Sequence, residues 1–173
     1  MSTRKKIFLK QDEEKEISQG FPWVFDNEIL SIKNNDENHP IQDGSEVDVF
    51  SKSGNFLGTG IYNSKSKISV RILSRKKDVE FNSEFFEKRI QDALDIRFMN
   101  YKKSDSYRLI FAEADFLPGL IVERYVDING RVFLVVQFLA LCTEIFRDII
   151  ISSLNLLCHP FGIYERSDVD VRE

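Results

Sequence analysis

The sequence predicts an α+β protein: a small β-barrel followed by a smaller unit of antiparallel strands and two helices. Three observations predict it. Hydrophobic residues alternate with period two in short runs up to about residue 73. After the charged stretch Arg75–Asp78 the period lengthens to that of a helix. The chain also has 15 Phe among 173 residues, enough ring area to build real cores.

In order, Lys5–Lys10 reads as a strand, followed by the charged run Asp12–Glu16. Pro22 suits a first helical turn, so a short helical turn is expected over Pro22–Asn27, with Trp23 in the core. Ile29–Lys33 is a strand, and Asn34–Gly44, polar and broken by Pro40, is a loop. Ser45–Phe50, Phe56–Tyr62 and Ile68–Leu73 complete the barrel strands. Ser53-Gly54 marks a hairpin, and Gly58 and Gly60 mark a bulge or a corner. Ile68, Val70 and Ile72 face one way, Ser69 and Arg71 the other.

The domain boundary is placed at residue 78, giving units 1–78 and 79–173. Ser83 is expected to cap a helix running to Asn100, with Phe86, Ile90, Ala93, Leu94 and Arg97 on or near one face. Tyr107–Ala112 and Leu120–Tyr125 are strands around the Leu117-Pro118-Gly119 turn. Asn129-Gly130 is a hairpin signal ahead of the strand Arg131–Phe138. Ala140–Leu157 reads as one helix, stopped by Pro160, and Phe161–Glu165 as a last strand.

Composition restricts function. The net charge is −4, so a protein-wide basic field for nucleic acid is absent, and RNA contact needs a local patch. Such a patch is Lys65, Lys67, Arg71, Arg75, Lys76 and Lys77, in a stretch without acids from Ser64 to Lys77. Tyr62 beside it can stack on an unpaired base. The competing reading is a solvated strand edge, where lysines block aggregation. No apolar run is long enough for a membrane span and no signal peptide is legible, so a cytoplasmic protein without membrane contact is expected. A homodimer is one assembly open to it.

No catalytic constellation is complete, and the sequence assigns no catalytic residue and no metal site. Cys158-His159 has no second pair to close a zinc site. Cys142, early on an apolar helix, reads as core packing, and His159 as a helix cap or surface residue. Gly58-Thr59-Gly60 lacks the third glycine and the following helix of a nucleotide fingerprint. Glu113 and Asp115, at a strand end, can share one face and serve acid–base chemistry. Alternatively they bond the following turn or pair with Arg124.

Four segments occur together in a known order: Gly20-Phe21-Pro22-Trp23-Val24-Phe25; Gly60 to Ile68 with Arg71; Asp105 to Ile110 with Glu113-Ala114-Asp115 and Leu117 to Tyr125; and Ile163-Tyr164-Glu165-Arg166-Ser167-Asp168. In these the chain resembles the bacterial 23S rRNA large-subunit cytosine-5 methyltransferases that carry an N-terminal PUA domain. The resemblance spans nearly the whole chain. It implies a PUA-like barrel over 1–78 and a central α+β domain over 79–173, leading into a Rossmann-type domain beyond Glu173. That further domain would hold S-adenosylmethionine and the catalytic cysteines, which neither Cys142 nor Cys158 matches. By this reading the chain binds no cofactor itself, holds ribosomal RNA and transfers no methyl group alone. Glu113, Asp115, Arg124, Arg166 and Asp168 are then candidates for an interface with that further domain. The chain departs from the family at Ala112 and Phe116, where glycine is usual, so the intervening turn is expected to be bulkier. A stand-alone RNA-binding module and a protein-interaction adaptor are the alternatives.

Overall fold

The computed structural model describes residues 4–33 and 40–167. His39 and Asp168 lie outside the described residues, as does much of the expected Asn34–Gly44 loop. The chain divides into two compact units, residues 1–79 and 80–172.

The first unit is a curled six-stranded sheet. Its strands are β1 (Lys5–Leu9), β2 (Trp23–Phe25), β3 (Ile29–Lys33), β4 (Glu46–Phe50), β5 (Phe56–Tyr62) and β6 (Ile68–Ser74). Their spatial order is β2-β6-β5-β4-β1-β3, with β1 parallel to β4 and the other pairs antiparallel. The alternation legible in the sequence becomes the core. Ile7, Leu9, Val24, Val47, Val49, Val70 and Ile72 point inward and pack with Ile17. Ile17 comes from the short helix α1 (Glu14–Ser18).

Pro22–Asn27 is not a helical turn. Trp23–Phe25 pairs with β6, and the Ile72 amide donates to the Pro22 carbonyl at 2.8 Å. A sheet edge offers these backbone groups partners that an isolated turn cannot. The 3₁₀ turn comes only afterwards, at Asp26–Glu28.

Gly58 and Gly60 sit where β5 crosses β6. A Cβ at Gly58 would lie 2.6 Å from Ile72 Cγ2, and one at Gly60 would strike the Arg71 carbonyl. The expected bulge falls here, as a register shift between Thr59 and Gly60.

The second unit is a four-stranded sheet with helices on one face. Helix α2 (Ser83–Phe98) is capped by Asn82, whose side chain accepts from the Phe85 amide at 3.1 Å. Ser83 is already helical, so the expected cap moves by one residue. Strands β7 (Tyr107–Phe111), β8 (Leu120–Val126), β9 (Val132–Phe138) and β10 (Gly162–Glu165) follow in the order β10-β9-β8-β7. β10 runs parallel to β9; the other pairs are antiparallel.

The helix expected over Ala140–Leu157 is two, α3 (Leu141–Glu144) and α4 (Arg147–Cys158). The break at Phe146 turns its ring onto Phe86, 4.9 Å between centroids, and onto Phe81, 5.9 Å. This cluster seats α4 against α2. Pro160 ends the helix region as expected, and His159 caps α4 in the left-handed conformation.

Candidate nucleic-acid interface

The hairpin joining β5 to β6 is built by two buried polar side chains. Asn63 accepts from the Lys65 amide at 3.0 Å, and Ser66 Oγ accepts from the Ile68 amide at 3.1 Å. Asp43 takes the Ser64 amide at 2.6 Å, which holds its carboxyl below the ordinary range. These local bonds replace ladder hydrogen bonds at the turn and leave Lys65 and Lys67 exposed. Neither Asn63 nor Ser66 stood out in the sequence, although their spacing around two lysines is that of a side-chain-tied turn.

The structure distributes the predicted basic residues along β6 instead of gathering them. Lys65 and Lys67 lie before it, Arg71 at its middle, and Arg75, Lys76 and Lys77 after it. Seven residues at about 3.3 Å each separate the two ends by roughly 20 Å.

The far end is partly committed to structure. Arg75 donates to the carbonyls of Leu57 at 3.0 Å and Phe21 at 2.7 Å, and Lys77 lies 5.5 Å over the Phe56 ring. Tyr62 is half-buried and packs against the core; burial first, then Asp43, pushes its phenol up.

Arg71 is placed differently. Its register partners are Trp23 on β2 and Ile61 on β5. Directly opposed residues share a sheet face. The neighbouring pair Val24–Val70 points into the core, so Trp23 and Arg71 point away from it. Arg71 is half-buried, and among the described residues no carboxylate is paired with it.

Trp23 does not stand alone on this face, nor is it a core residue as expected. Phe21, just before the edge strand, and Trp23 and Phe25 on it form one aromatic cluster. Ring centroids are 5.3 Å apart for Phe21–Trp23 and 6.4 Å for each of the other pairs. All three are half-buried while the intervening Val24 is fully buried. The alternation Phe-x-Trp-x-Phe was the sequence signal for this cluster, hidden by reading Pro22 as a helix start. Lys67 adjoins it, its carbonyl accepting from the Asp26 amide at 2.9 Å.

In the second unit, Glu113 and Asp115 are not on a strand. They occupy a 3₁₀ turn, Ala112–Asp115, and do not share a face. Asp115 is buried and bound by both Arg97 terminal nitrogens, at 2.7 and 2.6 Å, and by the Phe111 amide at 2.6 Å. Arg124 does not pair with it. That guanidinium donates to the carbonyls of Asp105 and Lys103 and lies 5.2 Å over the Tyr107 ring. Asp115 and Arg124 are thus spent inside the unit, whereas Arg166 is exposed.

Ala112 and Phe116 carry φ of 45° and 58°, the left-handed region that favours glycine. Burial pushes the Cys158 thiol up to about 11 against the opposing pull of Arg124. Buried Cys142 lies 3.2 Å from the Pro118 carbonyl, to which its thiol donates. Neither is a nucleophile in waiting.

The glycines of the one Gly-x-Gly sequence are filled by β6 rather than open to a cofactor. These residues do not fit S-adenosylmethionine. Among the described residues no group of His, Cys, Asp and Glu is arranged to hold a metal. No described helix is long and apolar enough to cross a membrane.

Comparison with known proteins agrees with this architecture. Residues 7–75 match the family described as PUA-like domain. Over 169 residues the chain is 34% identical to ribosomal RNA large subunit methyltransferase I of Alteromonas mediterranea, and over 170 residues 37% identical to that of Shewanella denitrificans. These alignments cover 96% and 97% of this chain but 40% and 41% of the relatives. A solved structure from Streptococcus mutans, provisionally described as a SAM-dependent methyltransferase, superposes with a TM-score of 0.74 at 24% identity. It covers 94% of this chain and 40% of that one. A second, provisionally described as a methyltransferase and complexed with SAH, gives 0.73 over the same shares. The chain therefore contains a PUA-like domain at residues 7–75 and is homologous to ribosomal RNA large subunit methyltransferase I, spanning about 40% of the length of those relatives.

Proposed function

We propose that this chain is the RNA-holding part of an S-adenosylmethionine-dependent methyltransferase acting on a cytosine C5 of large-subunit ribosomal RNA. The observation that carries the reading is the face of the first unit on which Arg71, with no paired carboxylate among the described residues, stands beside the Phe21–Trp23–Phe25 cluster, with Lys67 adjoining. Cations bind phosphate by counterion release, and aromatic rings stack on unpaired bases. Together they grip a single strand without reading its sequence strongly. The homology to rRNA methyltransferases supplies the substrate class and, for the longer protein, the cofactor. In that protein the second unit leads into a Rossmann-type domain carrying the cofactor site and a cysteine nucleophile. Glu113, Arg166 and Asp168 are candidates to face it.

Trp23 is the single tryptophan of the chain, so its emission reports on this face alone. Adding single-stranded RNA is expected to quench it saturably, with Arg71→Ala weakening the apparent affinity. Unchanged emission in a mixture where RNA is shown to be bound by filter retention refutes the placement of the interface.

A further inference from the structure

The four-stranded sheet of the second unit has two unlike faces. Ile110, Val122, Leu134 and Val136 are fully buried toward the helices. The opposite face carries Arg108, Glu123, Val135 and Tyr164 in one cross-strand row, and Tyr125, Phe133 and Gly162 in another. Phe111, beside Ile121, extends it at the β7 edge. Tyr125 is 46% exposed, Phe111 51%, Phe161 66% and Tyr164 67%. Exposed rings gathered on one face are a recognition surface rather than scattered surface apolarity.

The decoration of these rings indicates what they recognise. The Arg131 guanidinium lies over Phe161 at 4.6 Å and over Phe133 at 5.8 Å, and Arg108 lies over Phe111 at 4.8 Å. Glu123 is occupied by Arg108 at 2.5 Å and by the Tyr125 hydroxyl at 2.9 Å, and Asp127 by Arg131 at 2.7 Å. Among the described residues, both acids of the face are thereby paired with its own arginines. Gly162, opposite Phe133, has no side chain to cover that ring; a Cβ there would touch it at 3.6 Å. Flat rings interleaved with guanidinium planes on an open sheet suit unpaired bases, which present a π-face whatever their sequence. Strands two apart in a sheet set Tyr125 and Tyr164 roughly 10 Å from one another laterally, room for separate bases.

We propose that this open face, centred on Tyr125, Phe133 and Tyr164, is a second single-stranded RNA contact, stacking unpaired bases on the second unit itself. The inference rests on the RNA reading above and adds a base-stacking surface within the second unit.

The test is a binding titration of the full chain with a mixed-sequence single-stranded oligoribonucleotide of about 16 residues, the upper site size for one small module. Wild type, Tyr125→Ala/Tyr164→Ala and Tyr125→Phe/Tyr164→Phe are compared, with sedimentation and thermal melting of each. Both tyrosines are exposed, so the variants should fold. The alanine pair should lose affinity by about tenfold or more, with an unchanged salt slope, because stacking releases no counterions. The phenylalanine pair should bind like wild type. Equal binding by the alanine pair overturns the inference while leaving the first interface standing. A wild-type chain that binds no RNA overturns both. A change in self-association with RNA affinity unchanged assigns the face to a second copy and overturns the proposal.

Discussion

Ala112 and Phe116 flank the Glu113-Ala114-Asp115 turn with positive φ. Both are positions where the resembling family usually has glycine, and the structure gives the reason: the backbone there is left-handed. An L-residue pays about 1–2 kcal/mol for that conformation. Against this stands the greater unfolded-state entropy of glycine, about 0.4–1 kcal/mol. Ala112→Gly should therefore stabilise the second unit by roughly 0.5–1 kcal/mol in a denaturant melt. Phe116→Gly is a poorer choice, since its ring lies 5.1 Å from the Arg89 guanidinium. Cys158 gives a second residue-scale expectation. Its folded pKa of about 11 lies above the unfolded value of 9.0. The unfolded state therefore releases the proton first, and the thiol's contribution, complete below about pH 9, is lost as pH rises through about 11. Melts across that window should slope downward, and Cys158→Ser should flatten the slope.

At the scale of elements, the Arg97–Asp115 pair ties the end of α2 to the turn after β7. Asp115 also accepts the Phe111 amide, so it closes the turn and anchors the helix at once. Asp115→Ala leaves Arg97, itself mostly buried, without its partner and should cost about 3 kcal/mol of stability, read as a lowered denaturation midpoint at constant m-value. Most elements were legible because their signals were local: alternation in β4, β5 and β6, Asn129-Gly130 before β9, the apolar stripe of α2. The misread elements depended on tertiary partners. Pro22 is compatible with a helix start, but the edge of β6 captured Trp23–Phe25 as a strand. The apolar run Ala140–Leu157 carries no breaker at Ile145–Phe146, so only the Phe81–Phe86–Phe146 cluster explains why the helix divides there.

At the scale of the whole molecule, the net charge of −4 forbids a diffuse basic surface, so nucleic-acid contact has to be concentrated. The sequence displays the basic run but could not rank its members. Arg75 proved to be a strut between two carbonyls, and Arg71 a half-buried cation with no paired carboxylate among the described residues. The aromatic cluster beside Arg71 was illegible for a related reason: whether Trp23 points in or out depends on the register of β2 against β6. Lys65, Lys67, Arg71 and the exposed Lys76 are left as the cations most available to phosphate. The central claim is that they hold RNA, and it is tested most directly by the double-logarithmic dependence of single-stranded RNA affinity on salt concentration. Each phosphate contact contributes about 0.7 to that slope, so Lys65→Ala/Lys67→Ala/Arg71→Ala should make it shallower by about 2 while the melting curve stays unchanged. A slope identical to that of the wild-type chain would contradict the account.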